Sequence, residues 1–149
     1  MDLWFSELHT PYVKFSIQID KQLHSEQTEF QRIDIFESKE FGRMMVLDGY
    51  VMLTEKDEFI YHEMIVHVPI AVHPNPKRVL IIGGGDGGTA RELLRYKNVE
   101  SVDLVEIDER VVDISRKYLP QTASSFDDER LHCYFEDGLK FIRHCNNEY

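Results

Sequence analysis

The chain has 149 residues, 42% hydrophobic and 30% charged, with a formal net charge of −10. That length suits one ordinary domain or two small ones, and the composition is that of a soluble globular protein. The acidic balance argues against nucleic acid as a partner, no apolar run approaches the ~20 residues of a membrane span, and no basic-then-apolar leader opens the sequence.

Residues 1–55 read as short strands. FSIQI (15–19) and RIDIF (32–36) alternate apolar and polar side chains, the period of half-buried strands. Two further strands are expected over 44–47 and 51–54, joined by Asp48-Gly49, a dipeptide suited to the positive backbone angles of a tight hairpin. The expectation is a β-domain of four antiparallel strands. From Asp57 the period changes. Ile60, Met64, Val68 and Ala71 fall three or four residues apart and mark one apolar helical face, with Asp57 and Glu58 at the positive end of the helix dipole. Pro69 is expected to kink or end that helix, and HPNP (73–76) to form a stiff connector.

Residues 56–149 then alternate strand and helix. Strands are expected over 79–82, 102–107 and 131–135, and helices over 89–96, 110–119 and 138–144. The acidic cluster at 127–129 reads as a solvated loop. Cys133 and Cys145 have neither metal-ligand spacing nor a disulfide framework, which fits reduced thiols in a cytoplasmic protein. The β-α-β-α-β-α order argues a parallel sheet with helices on its faces. The fold class is therefore α/β: an N-terminal antiparallel β-domain followed by the first half of a Rossmann-like, methyltransferase-type parallel sheet. Three strands are half of such a doubly wound sheet, whose first strand sits in its middle, so a fourth strand is expected after Tyr149.

GGGDGG (83–88) follows a strand and opens a helix, where glycines allow a tight turn and close approach of backbone to a ligand. Glu106, about 20 residues further on, ends the second strand and is positioned to accept hydrogen bonds from two ribose hydroxyls. Asp86 then selects among nucleoside ligands. A carboxylate in this loop repels a pyrophosphate, by about 1–4 kcal/mol for charges ~4 Å apart at moderately high dielectric, and welcomes a sulfonium or an ammonium. It also conflicts with the α-carboxylate of ordinary S-adenosylmethionine. Many methyltransferases carry an acid two residues before the first loop glycine; here that position is Ile81. Asp137-Gly138 ends the third strand, where a carboxylate suits an adenine amino group and a turn pair is the alternative. HEMIVH resembles a zinc-binding HExxH, but His62 and His67 are five residues apart, about 140° from sharing a helical face, so no metal site is expected there.

Taken in order, TEFQ (28–31), LDG (47–49), EKDEFIYHEM (55–64), GGGDGG (83–88) and VEID (105–108) resemble the successive signatures of the spermidine synthases, across nearly the whole chain from about Trp4 onward. The resemblance implies transfer of an aminopropyl group from decarboxylated S-adenosylmethionine to putrescine, giving spermidine and methylthioadenosine. Decarboxylated S-adenosylmethionine is then a co-substrate, and no cofactor or metal is called for. By the same resemblance Gln31, Glu106, Asp137 and Gly138 hold the adenosine portion, His62 and Asp86 bind the amine end, and Tyr61 lines the site. A homo-oligomer is expected. The family's catalytic aspartate ends a fourth strand and is expected beyond Tyr149, so no catalytic residue is assigned within the chain. Two other readings stand beside this one: an S-adenosylmethionine-dependent methyltransferase on the same sheet, against which Asp86 and Ile81 argue, and a non-catalytic binding or oligomerisation module.

Overall fold

A computed structural model describes residues 2–146, 148 and 149. The chain forms two compact units, Met1–Glu58 and Phe59–Tyr149. Among the described residues no helix is long and apolar enough to cross a membrane.

The first unit holds six strands: β1 (Leu3–Thr10), β2 (Val13–Ile19), β3 (Lys21–Gln27), β4 (Arg32–Ser38), β5 (Gly42–Leu47) and β6 (Tyr50–Thr54). They make an antiparallel hairpin, β1-β2, and an antiparallel sheet in the order β3-β4-β5-β6. Four strands in one unit were expected; β1 and β3 are additional, and the strands divide between two sheets. β3 has the sequence KQLHSEQ, with one aliphatic residue and little burial, so it carries no apolar alternation. Its conformation comes from pairing with β4, reinforced where Gln22 Nε2 donates to Asp34 Oδ1 at 2.7 Å. The Asp48-Gly49 turn is present as expected. Both residues have positive φ, 50° and 87°, and Leu47 pairs directly with Tyr50, the two-residue geometry that matches strand twist. Ile17 of β2 packs with Phe36, Met44 and Val46 of the larger sheet, which joins the two sheets through one apolar cluster. Glu7 of β1 adds a polar tie, accepting from Val51 N at 2.7 Å where the β5-β6 register shifts. One face of the hairpin exposes Leu8 and Trp4, the chain's single tryptophan, while Leu3, Val13 and Phe15 are exposed on the face that carries Ile17.

The second unit is entered through α1 (Glu58–Val72) and continues as β7 (Arg78–Ile82), α2 (Gly88–Leu94), β8 (Ser101–Glu106), α3 (Glu109–Tyr118), α4 (Pro120–Ala123), a 3-10 turn (Ser124–Asp127), β9 (Leu131–Phe135) and α5 (Gly138–His144). The three strands pair in parallel with β8 in the middle, aligning Val79, Val102 and Leu131 in one row and Ile81, Leu104 and Cys133 in another. Leu104, Val102 and Ile81 form a core with Ala90 and Leu93 of α2, Val112 of α3, Val66 of α1 and Phe126 of the 3-10 turn. Each large aliphatic group so covered contributes about 1.5–3 kcal/mol.

One expectation is corrected here and two are filled in. α1 forms, but its inward positions are His62 and Val66, with Ile70 partly covered, while Ile60, Met64, Val68 and Ala71 are exposed. A shift of two residues turns a helix by about 200°, so the apolar stripe faces away from this core. α1 also runs through Pro69 to Val72, with His73 N donating to Pro69 O at 3.1 Å. Pro69 is exposed, and a backbone carbonyl left unpaired there costs far less than one in a core. The acidic cluster, finally, is ion-paired: Asp127 meets Arg116 at 2.8 Å and Asp128 meets Arg130 at 2.8 Å. Arg130 reaches on to the carbonyls of Leu94 (2.7 Å), Tyr96 and Val99 (3.2 Å each), closing the end of α2 and the turn after it.

Candidate functional site

The loop of residues 83–88 joins the carboxyl end of β7 to the start of α2. Gly83 N donates to Val105 O at 2.8 Å, which ties the loop to the end of β8, and Gly87 N donates to Gly84 O at 2.9 Å, which closes the turn. Gly87 has φ +86°, a left-handed conformation that disfavours any side chain. A Cβ at Gly88 would overlap the His62 ring, so glycine there lets the imidazole of α1 lie directly on the loop backbone.

His62 is 2% exposed, and its Nε2 lies 3.1 Å from Asp86 Oδ1. The same oxygen accepts from Gly88 N at 2.7 Å. Burial acts to raise the Asp86 pKa, but the bonds from His62 and the Gly88 amide outweigh it and hold the carboxyl below the usual range. An ionised carboxylate thus stands in the glycine loop. Tyr61, next along α1, is largely exposed, with its ring edge-on to His62 at a centroid separation of 5.3 Å.

Glu106 is the last residue of β8 and is buried. Its Oε2 accepts from Gly85 N and its Oε1 from Asp108 N, each at 3.1 Å. An ionised carboxylate has about four acceptor positions, so these two bonds fix its orientation and leave room for further donors. Asp137 follows β9 and caps α5, Oδ1 accepting from Leu139 N (2.8 Å) and Lys140 N (3.0 Å). Those amides, Lys140 first, hold the Asp137 carboxyl below its ordinary pKa. Gly138 begins α5 against the Ile82 side chain at the end of β7. Asp86, Glu106, Asp137 and Gly138 therefore gather at the carboxyl ends of three adjacent parallel strands, where ligands of such sheets bind, and His62 joins them through Asp86. Gln31 belongs to the first unit, in a turn where its backbone N–H donates to Thr28 Oγ1 at 3.1 Å and its backbone carbonyl accepts from Thr28 N at 2.9 Å.

The loop has a support that spacing did not suggest. Ser125, 5% exposed in the 3-10 turn, donates to Gly87 O at 2.9 Å, with Thr122 O at 3.3 Å. Nothing in SSFD marks it as a site residue, and 38 positions separate it from Gly87. The Gly85 and Asp108 amides that orient Glu106 were also unmarked, being backbone groups whose direction depends on the finished turn.

His62 and His67 point to different partners. His67 Nε2 lies 3.2 Å from Glu92 Oε2 and its Nδ1 lies 2.7 Å from Tyr96 Oη. Glu63, His67 and Glu92 bring ligand-type atoms within 4.8 Å of one another. Glu92, however, is already paired with Arg91 (2.9 Å) and Arg95 (2.6 Å). Two guanidiniums compensate that buried carboxylate, which makes the cluster an ion-pair network rather than a cation site.

Comparison with known proteins extends this geometry. The spermine/spermidine synthase domain matches residues 58–149, and the spermidine synthase tetramerisation domain matches residues 3–55. The polyamine aminopropyltransferases of Clostridium botulinum (strain Eklund 17B / Type B) and Alkaliphilus oremlandii (strain OhILAs) are 63% and 62% identical over 149 residues, which is 100% of this chain and 52% of each relative. The crystal structure of spermidine synthase from Thermotoga maritima is similar with a TM-score of 0.95 at 48% identity, over 99% of this chain and 52% of that one. A spermidine synthase in complex with the transition-state analogue AdoDATO matches with the same TM-score, identity and coverage. The chain spans about half the length of the curated relatives it matches.

Proposed function

The chain belongs to the spermine/spermidine synthase family, and from that premise we propose that it carries the nucleoside half of an aminopropyltransferase site. The co-substrate is decarboxylated S-adenosylmethionine, the acceptor putrescine, and the products spermidine and methylthioadenosine. The observation that carries this reading is the ionised Asp86 inside the glycine loop, held by His62 and the Gly88 amide. A fixed negative charge there favours a ligand whose amine end is cationic and lacks a carboxylate, and disfavours a pyrophosphate or an intact amino-acid terminus. The His62 and Gly88 contacts both fall on Oδ1, and the amine is assigned to this carboxylate.

Glu106 is assigned to the ribose hydroxyls, Asp137 and Gly138 to the adenine edge, Gln31 to the adenosine portion, and Tyr61 to the rim of the amine site. The reaction is a direct displacement: a neutral amine nitrogen attacks the carbon beside the sulfonium, and methylthioadenosine leaves as a thioether. The amine must first lose a proton to a carboxylate, a role given to no residue of this chain. The thiols of Cys133 and Cys145 accord with a reducing, cytoplasmic setting. We assign assembly into a homo-oligomer to the first unit, whose hairpin exposes large apolar side chains and whose residues 3–55 match a domain described by tetramerisation.

The test is Asp86→Asn in the protein at its full length. It keeps size and removes charge. A lost charge-assisted contact corresponds to a fall of roughly ten- to a hundredfold in transfer to putrescine, with inhibition by ordinary S-adenosylmethionine strengthened relative to the decarboxylated form. Unchanged transfer together with unchanged discrimination sinks the reading. Methylthioadenosine should also bind far more tightly than NAD by calorimetry; equal affinities return the loop to a dinucleotide site.

A further inference from the structure

We propose that Ser125 is a positioning residue for transfer, acting on Asp86 through a single peptide group. The proposal rests on the reading of Asp86 given above and adds a component outside the loop itself. The peptide between Gly87 and Gly88 is held at both ends. Its carbonyl, Gly87 O, accepts from Ser125 Oγ at 2.9 Å and from Arg91 N at 2.8 Å. Its amide, Gly88 N, donates to Asp86 Oδ1 at 2.7 Å. The plane of this peptide therefore sets where the Asp86 carboxylate is anchored.

Both flanking residues are glycines, and Gly87 sits at φ +86°, so no side chain resists rotation of the peptide plane. The Arg91 amide alone belongs to the first turn of α2, a helix of seven residues, and helix ends fray. Ser125 supplies the second anchor, from a turn packed in the core through Phe126. Its hydroxyl is buried, so deleting it brings no water-exposed substitute to the carbonyl. With the hydroxyl gone, the peptide gains freedom, the Gly88 amide leaves Oδ1, and Asp86 keeps its charge but loses its aim. Glu106 is held by the Gly85 and Asp108 amides and Asp137 by those of Leu139 and Lys140, none of which belongs to the Gly87–Gly88 peptide, so the adenosine side stays in place.

A double-mutant cycle in the full-length protein tests this. Ser125→Ala should lower kcat/KM for putrescine about tenfold, the size of a displaced charged contact, while methylthioadenosine affinity by calorimetry changes by less than about twofold. In an Asp86→Asn background the same substitution should change kcat/KM by less than about twofold, because its target is already disabled. Thr122→Val removes a buried bond from the same segment, Thr122 Oγ1 to Leu119 O at 3.1 Å, without releasing the Gly87 carbonyl, and should leave kcat/KM within about twofold of native. If Ser125→Ala does not fold, Ser125→Cys, close in volume and a weaker donor, is read in the same cycle with an intermediate loss expected. Full activity of the Ser125 variants, an equal loss in both backgrounds, or an equal loss in Thr122→Val overturns this inference alone. Unchanged transfer and unchanged discrimination in Asp86→Asn overturn the functional reading, and this inference with it.

Discussion

At the scale of single residues, two buried hydroxyls of the second unit have opposite circumstances. Ser125 is bonded to the loop, whereas Ser115, fully buried on α3, has no hydrogen-bond partner for its Oγ among the described residues. An unsatisfied buried hydroxyl costs free energy that an apolar group of similar size does not, and alanine is the better helix former. Ser115→Ala should therefore stabilise the protein by about 1 kcal/mol, read as a higher denaturant midpoint at unchanged slope. The carboxylates Asp86, Glu106 and Asp137 were legible because each stands at a strand end, and strand ends can be read from apolar runs. His62 was legible by resemblance, yet its burial against Gly88 was not: whether a helical histidine turns in or out depends on a partner 24 positions along the chain.

At the scale of elements, Arg130 does for α2 what no nearby residue does. α2 is short and has no glycine cap; the guanidinium of Arg130 gathers the carbonyl of Leu94 at its end and those of Tyr96 and Val99 in the turn beyond, while Asp128 holds its other edge. Arg130→Ala should destabilise the fold by about 2 kcal/mol, the value of hydrogen bonds to a charged donor. Arg130→Lys should recover little of it, since one ammonium cannot reproduce the planar fork. Thermal melts of the two variants check both statements. The elements themselves were readable where hydrophobic period decides them, as in β7, β8, β9 and α5. They were unreadable where pairing decides them: β3 is a strand because β4 offers it an edge, and α1 has two stripes between which spacing cannot choose.

At the scale of the whole molecule, an acidic chain folds around carboxylates that hold their charge. Asp86 and Glu92 are lowered in pKa despite burial, by His62 and by the Arg95–Arg91 pair respectively; Asp128 is lowered by Arg130, and Asp137 by the amides of Lys140 and Leu139. Each binds a proton less readily folded than unfolded. Their contribution is therefore complete above the ordinary carboxylate range, about pH 4, and is lost as pH falls through their lowered folded values. Helical circular dichroism followed from pH 6 downward should hold steady to about pH 4 and collapse below it; an earlier loss, between pH 6 and 5, contradicts this assignment. The division into a β unit and an α/β unit was visible as a change of hydrophobic period near residue 57. The splitting of the first unit into two sheets was not, because it depends on which strand edges meet.

The single tryptophan has a practical meaning of its own. Indole emission shifts with the polarity around the ring, and here one ring speaks for the outer side of the β1-β2 hairpin while the glycine-loop unit, rich in tyrosine and phenylalanine, contributes none. Trp4 is thus an unlabelled optical gauge of what covers that hairpin. A bare face leaves it emitting to the red, and apolar surface laid over it moves the emission to the blue, so a dilution series watched at one wavelength tests whether copies of the chain meet at that hairpin.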